Sequence, residues 1–300
     1  MQISRRKALL LFSVVVLAWG LNWPVVKQLV TEIPPIWSAA LRCATGAAAV
    51  LIIQCATGNF IIPKRQDIYI VLVIGIINMA VGPALMALGL QFIPAGRSAV
   101  LAYTTPLWVA PGAWFFLREK QPPRRILGII VGICGVVVMC NPLAMDFRDG
   151  NVVLGHALLL LNALTWAVAI LCIRAHVWFS TPFQLLFWQT CLSSVLLIAL
   201  ALAVEGAPAF TPSLSIILLL AYCGIPATAV AYWAMTVINA SLPATITSLG
   251  VLAAPVVGIL SSIVFLGERA DQPMIIATAM IIGGIAIGAV PEKKTAPSGP

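Results

Sequence analysis

Trp19 returns as Trp166, and the same step of 147 residues carries Lys27 onto Arg174 and Pro35 onto Pro182. Further along the step is 149, taking Gly75 to Gly224, Pro94 to Pro243, Pro106 to Pro255, Glu119 to Glu268 and Gly135 to Gly284. A short insertion in one loop accounts for the change of step, so the chain reads as a unit used twice. Any fold for this sequence has to repeat one architecture in its two halves.

What that unit is made of follows from its polarity. The 300 residues are 61% hydrophobic and 9% charged, with mean hydropathy +1.06, which leaves too little charge to cover a water-exposed globule. Apolar stretches of about 20 residues, enough to cross a ~30 Å hydrocarbon core as helix, fill nearly the whole chain. The expected partner is therefore the lipid bilayer. A net charge of +8 raises nucleic acid as a partner, but the basic residues sit in short clusters between apolar runs, without interleaved exposed aromatics. Membrane topology accounts for them, and no nucleic-acid partner is expected.

Cys43, Cys55, Cys134, Cys140, Cys172, Cys191 and Cys223 all fall inside or at the edge of apolar runs without a C-x-x-C pair, and read as small core residues. The start, Ser4-Arg5-Arg6-Lys7 before an apolar run, imitates a signal peptide. The repeat argues against cleavage, because the partner of this run lies mid-chain.

Gly, Pro and charge punctuation divides the first half into helices over 8–30, 35–56, 67–90, 95–117 and 124–140. The second half gives 152–174, 182–204, 212–237, 243–266 and 273–290. The fold class expected is an all-α integral membrane protein of ten transmembrane helices. Its two five-helix repeats cover 1–141 and 151–290, followed by a disordered, proline-rich tail over 291–300.

Arg5, Arg6, Lys7, Lys64, Arg65, Arg118, Lys120, Arg124, Arg125, Arg174, Lys293 and Lys294 fall on one side if the N-terminus is cytoplasmic, against Arg97, Arg148 and Arg269 on the other. Both termini are then cytoplasmic. An odd number of helices per half turns the second half upside down, the arrangement of inverted-repeat secondary transporters with a midplane site.

Trp19 and Trp166 lie well inside their helices, away from the headgroup level where Trp collects, and read either as cavity walls or as packing. Asn22, Asn78 and Asn162 are amides at apolar depth that need a partner, with cavity lining favoured for Asn22 and Asn162. Lys27 and Arg174, equivalent positions at opposite faces, are either snorkelling anchors or gates. Arg42 lies seven residues into the second helix; Glu32 is one candidate partner, and its role stays undecided.

Pro106 and Pro255 interrupt the fourth and ninth helices, and Pro83 and Pro226 the third and eighth, each freeing a backbone carbonyl that protein or a wet cavity must receive. Simple kinks are the competing reading. Tyr103, Thr104, Thr228, Tyr232, Thr245 and Ser248 on these helices are the candidates for hydrogen-bonding a polar solute. Gly75, Gly82 and Gly89 form one face of the third helix. Gly128 with Gly132 and Gly284 with Gly288 form G-x-x-x-G, read as packing, with a dimer seam left open. The oligomeric state, monomer or homodimer, is not determined by these features.

No Asp or Glu lies mid-helix, so a proton relay of the usual kind is missing, and His156 near a helix end reads as structural. Gly96-Arg97-Ser98 only faintly resembles an intramembrane serine protease, and there is no G-x-G-D, H-E-x-x-H or metal-spaced cluster. An enzyme, a metal and a cofactor are not expected.

The duplicated W-G-L-N-W-P-V-V-K and W-A-V-A-I-L-C-I-R, the prolines of the fourth and ninth helices, and Leu117-Arg118-Glu119 echoed by Leu266-Gly267-Glu268 make the sequence resemble the drug/metabolite transporter superfamily, in its EamA-type exporter branch. Within that branch it looks most similar to bacterial aromatic amino-acid exporters. The resemblance implies a bacterial inner-membrane, multi-pass protein exporting amino acids and related metabolites by alternating access. Trp19, Tyr103 and Trp166 would contact substrate side chains, with Asn22, Asn162, Thr245 and Ser248 addressing amino and carboxylate groups. Proton-coupled multidrug export is the alternative, but the first helix lacks the membrane glutamate that small multidrug relatives use.

Overall fold

The computed structural model describes residues 5–118, 122–140, 149–208, 210–241, 251 and 253–289, and among them every regular element is helical. Helix α1 spans Arg5–Glu32, α2 Pro35–Ala56, α3 Arg65–Phe92, α4 Ala95–Leu117 and α5 Pro123–Met139. The second half continues with α6 Gly150–Ala175, α7 Pro182–Val204, α8 Leu214–Ile238, α9 Ala253–Leu266 and α10 Gln272–Ala289. Seven of these, α1–α4 and α6–α8, are long and apolar enough to cross a membrane. The tail 291–300 and the stretch holding Thr245 and Ser248 lie outside the described residues.

Local chemistry sets the helix starts. Proline occupies a first-turn position in α2, α5 and α7, where its missing N–H has no helical partner to lose. Thr181 and Gln184 close a capping box on α7, and the side chains of Asp149 and Ser213 accept from Asn151 N and Ile216 N at the starts of α6 and α8. Two equivalent ends are built alike: α4 stops at Arg118 with φ 53° and α9 at Gly267 with φ 66°, both left-handed turns.

The prolines do more than kink. Helix α4 breaks at Tyr103-Thr104 between 95–102 and 105–117, with Pro106 in the first turn of the second piece. In α3 the stretch Ile74–Val81 is π-helical and hands over to α-helix at Gly82-Pro83; in α8 the π-helical stretch is Ile225–Val230, opening at Pro226. Pro255 is buried near the described start of α9.

Small residues decide which helices meet. A side chain at Gly128 would run into the backbone of Gly284 and Gly288, and one at Gly284 into Gly128 O at 2.5 Å and Gly132 N at 2.7 Å, so α5 and α10 touch backbone to backbone. Their G-x-x-x-G faces are occupied by each other within one chain. Gly20 of α1 meets Val257 and Ala254 of α9, Gly224 of α8 meets Thr45 of α2, and on α3 Gly75 meets α7 while Gly82 and Gly89 meet α6. Each of these contacts joins the first half to the second, and the interior seams lie between them. Phe115, Phe116, Val204 and Val264 are outward-facing and more than 60% exposed, an apolar surface suited to acyl chains.

Candidate functional site

Trp19 and Trp166 come together in the interior, edge to face with ring centroids 6.3 Å apart. Tyr232 completes the cluster at 5.7 Å from Trp19 and 6.5 Å from Trp166, stacked on the latter. The three rings come from α1, α6 and α8. Trp19 is fixed by its indole N–H, which donates at 3.1 Å to the carbonyl of Ala227 inside the π-helical stretch of α8. Beside it, the Tyr222 hydroxyl donates to Ala18 O at 3.0 Å, tying α8 to α1. All three cluster residues stay half-buried, presenting ring edges and faces rather than vanishing into the packing.

The three asparagines are buried. Asn162 sits at the α3–α6 contact, its Oδ1 standing 3.2 Å from where a Cβ on Gly82 would be, so the missing side chain at 82 is what makes room for it. Asn22 keeps its Oδ1, an acceptor, and Asn78 its Nδ2, a donor, without hydrogen-bond partners among the described residues. Tyr103 is half-buried at the break in α4 and lies within electrostatic reach of Tyr232. Thr104 is fully buried and satisfied locally, donating to Leu101 O at 2.6 Å and accepting from the Trp108 indole at 3.3 Å. Thr228 donates to Cys223 O at 2.8 Å.

Lys27 turns onto the end of α3. Its Nζ donates to Leu90 O and, at 3.2 Å, to Ile93 O, the last carbonyls of α3 and the residue beyond it. Arg174 occupies the last turn of α6 and is exposed. The two equivalent cations therefore sit in different surroundings. Close to Lys27 is Glu268, whose two carboxylate oxygens accept from Ala95 N at 2.6 Å and Gly96 N at 2.9 Å, capping α4 from the end of α9. An Arg97–Asp271 pair at 2.9 Å flanks it. Glu205 repeats the device, accepting from Ile36 N and Trp37 N at 2.8 and 2.9 Å to cap α2 from the end of α7. The helices receiving these carboxylates begin after Pro34 and Pro94, which have no side-chain oxygen to cap with.

At the opposite helix ends, Asp67 Oδ1 accepts from Phe179 N at 3.2 Å and lies 3.0 Å from His176 Nε2, while Gln54 donates to Phe183 O and Trp188 to Ile61 O. His156 sits with Nδ1 2.8 Å from Val152 O, and Ser98 donates to Pro94 O in its own helix. Among the described residues no group of three His, Cys, Asp or Glu is placed to hold a metal. All seven cysteines are free.

Sequence reasoning missed the two carboxylate caps formed by Glu205 and Glu268. The available signal was an acidic residue just past a helix end, paired with a helix whose proline start lacks a polar cap. It also left Arg42 open; Glu32 turns instead to Gln28 and Ser215, at 3.3 and 3.1 Å.

The several long apolar helices define a multi-pass helical membrane protein. The model of the EamA-like transporter family matches residues 6–141 and again 153–289, and the chain belongs to that family. It is 22% identical over 275 residues to the uncharacterized transporter YoaV of Bacillus subtilis, covering 90% of this chain and 92% of that protein. It is 25% identical over 295 residues to a probable amino-acid metabolite efflux pump of Escherichia coli, covering 94% of each. A solved crystal structure superposes over 95% of this chain and 99% of its own, with TM-score 0.67 and 22% identity, which establishes the likeness of fold.

Proposed function

We propose that the protein exports amino acids, aromatic and neutral ones included, and related metabolites across the bacterial inner membrane by alternating access, driven by the solute gradient. The observation that carries the reading is the meeting of Trp19 with Trp166. Residues occupying the same position in two copies of a unit touch only near the axis relating the copies, and a ring pair there supports reading the seam as the route.

Reciprocal contacts support a two-fold pair of five-helix units, and the sorting of cations between the loops supports an inverted pair with both termini cytoplasmic. Gly128 meets Gly284, and the equivalents of these two, Ala277 and Gly135, meet each other. Such exchange of partners is the signature of two-fold pairing. Helix α1 packs on α8 and α9, while its counterpart α6 packs on α3 and α4. The likeness to a protein described as an amino-acid metabolite efflux pump supports the substrate class. So does the wall itself: aromatic faces bind apolar and aromatic side chains with weak discrimination, giving a broad range.

The test is uptake of labelled amino acids, sugars, nucleobases and quaternary amines by the purified protein in liposomes. Amino-acid flux that dissipates a solute gradient and ignores an imposed pH gradient is expected. Proton-coupled quaternary-amine flux without amino-acid flux overturns the reading in favour of multidrug export.

A further inference from the structure

We infer that Arg42 is the docking point for the carboxylate of the transported solute, which deepens and rests on the amino-acid reading above. The residue lies about 10 Å along α2 from the start of the helix, given a rise of about 1.5 Å per residue, and it is half-buried. Its neighbours Ala39, Ala40 and Cys43 belong to a core shared with Ala80, Ala84 and Ala87 of α3. In that apolar setting its guanidinium makes one contact, Nη1 to the thioether sulfur of Met86 at 3.5 Å, and no carboxylate among the described residues is paired with it. Thioether sulfur is a weak acceptor that leaves nearly all of the guanidinium's donors open.

A permanent cation held at membrane depth without a counter-charge needs an anion or water to complete it. Two features select an organic anion. Helix α2 packs on α8 one turn beyond Arg42, where a Cβ on Gly46 would lie 3.1 Å from Thr228 and the Thr45 hydroxyl donates to Leu220 O at 3.2 Å, and one turn further along α8 Tyr232 packs on Trp19 and Trp166. And Cys43, next to Arg42, donates at 3.3 Å to the carbonyl of Met79, which puts Asn78 and its unpartnered Nδ2 donor at the same level. The unpartnered Oδ1 of Asn22, three residues from Trp19, is an acceptor on the aromatic side. Cation and donor from α2 and α3, with acceptor and π faces from α1, α6 and α8, match a zwitterion whose carboxylate meets Arg42 and whose ammonium meets Asn22 and the rings.

The experiment measures binding to the purified protein and flux in liposomes for phenylalanine, phenylalaninamide, phenethylamine, 3-phenylpropionate and a quaternary amine. Wild type, Arg42→Gln and Arg42→Lys are compared, with folding monitored by monodispersity and melting. Wild type should prefer the carboxylate-bearing compounds by about tenfold to a hundredfold. Arg42→Gln should lose that preference while its affinity for phenethylamine is unchanged, and Arg42→Lys should retain part of it. If phenylalanine and its amide bind wild type equally, or if folded Arg42→Gln keeps the preference, the docking role fails and amino-acid export stands. If Arg42→Gln does not fold, Arg42→Lys decides: a preference identical to wild type assigns the carboxylate elsewhere. Quaternary-amine transport with no carboxylate compound bound overturns both readings.

Discussion

Trp166 packs its ring against Trp19 and Tyr232. Removing it takes away an aromatic pairing worth about 0.5–1.5 kcal/mol beyond buried area, a modest loss for the fold and a large one for the seam. Trp166→Ala is expected to melt a few degrees lower yet to lose most amino-acid flux in liposomes. Asn162→Ala, beside Gly82, is expected to act the same way. Normal flux through both folded variants would remove these residues from the substrate path.

Glu268 is a residue of a different kind, acting on N–H groups 172 and 173 residues away in sequence. Its replacement by alanine leaves two N–H groups of α4 without a cap, and a melting loss equivalent to about 1–2 kcal/mol is expected. Arg97→Ala removes a pair whose aspartate is 45% exposed, and should cost less than about 1 kcal/mol. Equal losses in the two variants would show that the carboxylate acts through the ion pairs around it and not through the cap.

Among the helices, the closest approach is that of α5 and α10, and there glycine is required at some positions and not at others. A methyl at Gly128 or Gly284 would sit inside the partner's backbone, whereas at Gly288 the nearest atom is 3.7 Å away and at Gly283 there is nothing within 4 Å. Gly284→Ala is therefore expected to destabilise by about 1–3 kcal/mol through overpacking, and Gly288→Ala and Gly283→Ala to melt like the parent. The helix ends carry a second contrast. Arg118 occupies a left-handed turn at φ 53° that its equivalent, Gly267, adopts freely. Arg118→Gly should raise stability and Gly267→Ala lower it, each by about 1 kcal/mol, in thermal melts in detergent.

Much at this level was legible beforehand. Proline starts at 35, 123 and 182 and the polar caps before α6, α7 and α8 put the helix boundaries within a few residues of the expected ones. The π-helical stretches were not legible. A proline announces a lost hydrogen bond, but whether the helix kinks, breaks as at Tyr103-Thr104, or widens its register depends on what its surroundings offer the freed carbonyl, as the Thr105 hydroxyl does for Ala102 O, four residues before Pro106.

For the molecule as a whole, the proposed inversion of the halves has a direct consequence for sidedness. Asn59 follows α2 and Ala207 follows α7, equivalent helices that run in opposite senses if the halves are inverted. With the native cysteines replaced, Asn59→Cys is expected to react with a membrane-impermeant thiol reagent only from the cytoplasmic side, and Ala207→Cys only from outside. Reaction of both from one side would leave the halves parallel and remove the basis for alternating access.

What the sequence by itself determined is the helical, membrane-embedded, twice-used unit. A bilayer offers the backbone no hydrogen-bond partners, so apolar runs of sufficient length have to satisfy themselves as helices, and a constant offset between runs survives any detail of packing. It also nominated Trp19 and Trp166, since equivalent aromatics at equal depth stand out without a structure. Tertiary structure alone decided that Lys27 closes the end of α3, that Glu268 and Glu205 cap helices of the opposite half, and that Arg42 faces Met86 and not Glu32. The physical reason is range: helix formation is a matter of neighbours four residues apart, whereas the partner of a buried charge is set by which small faces let two distant helices approach.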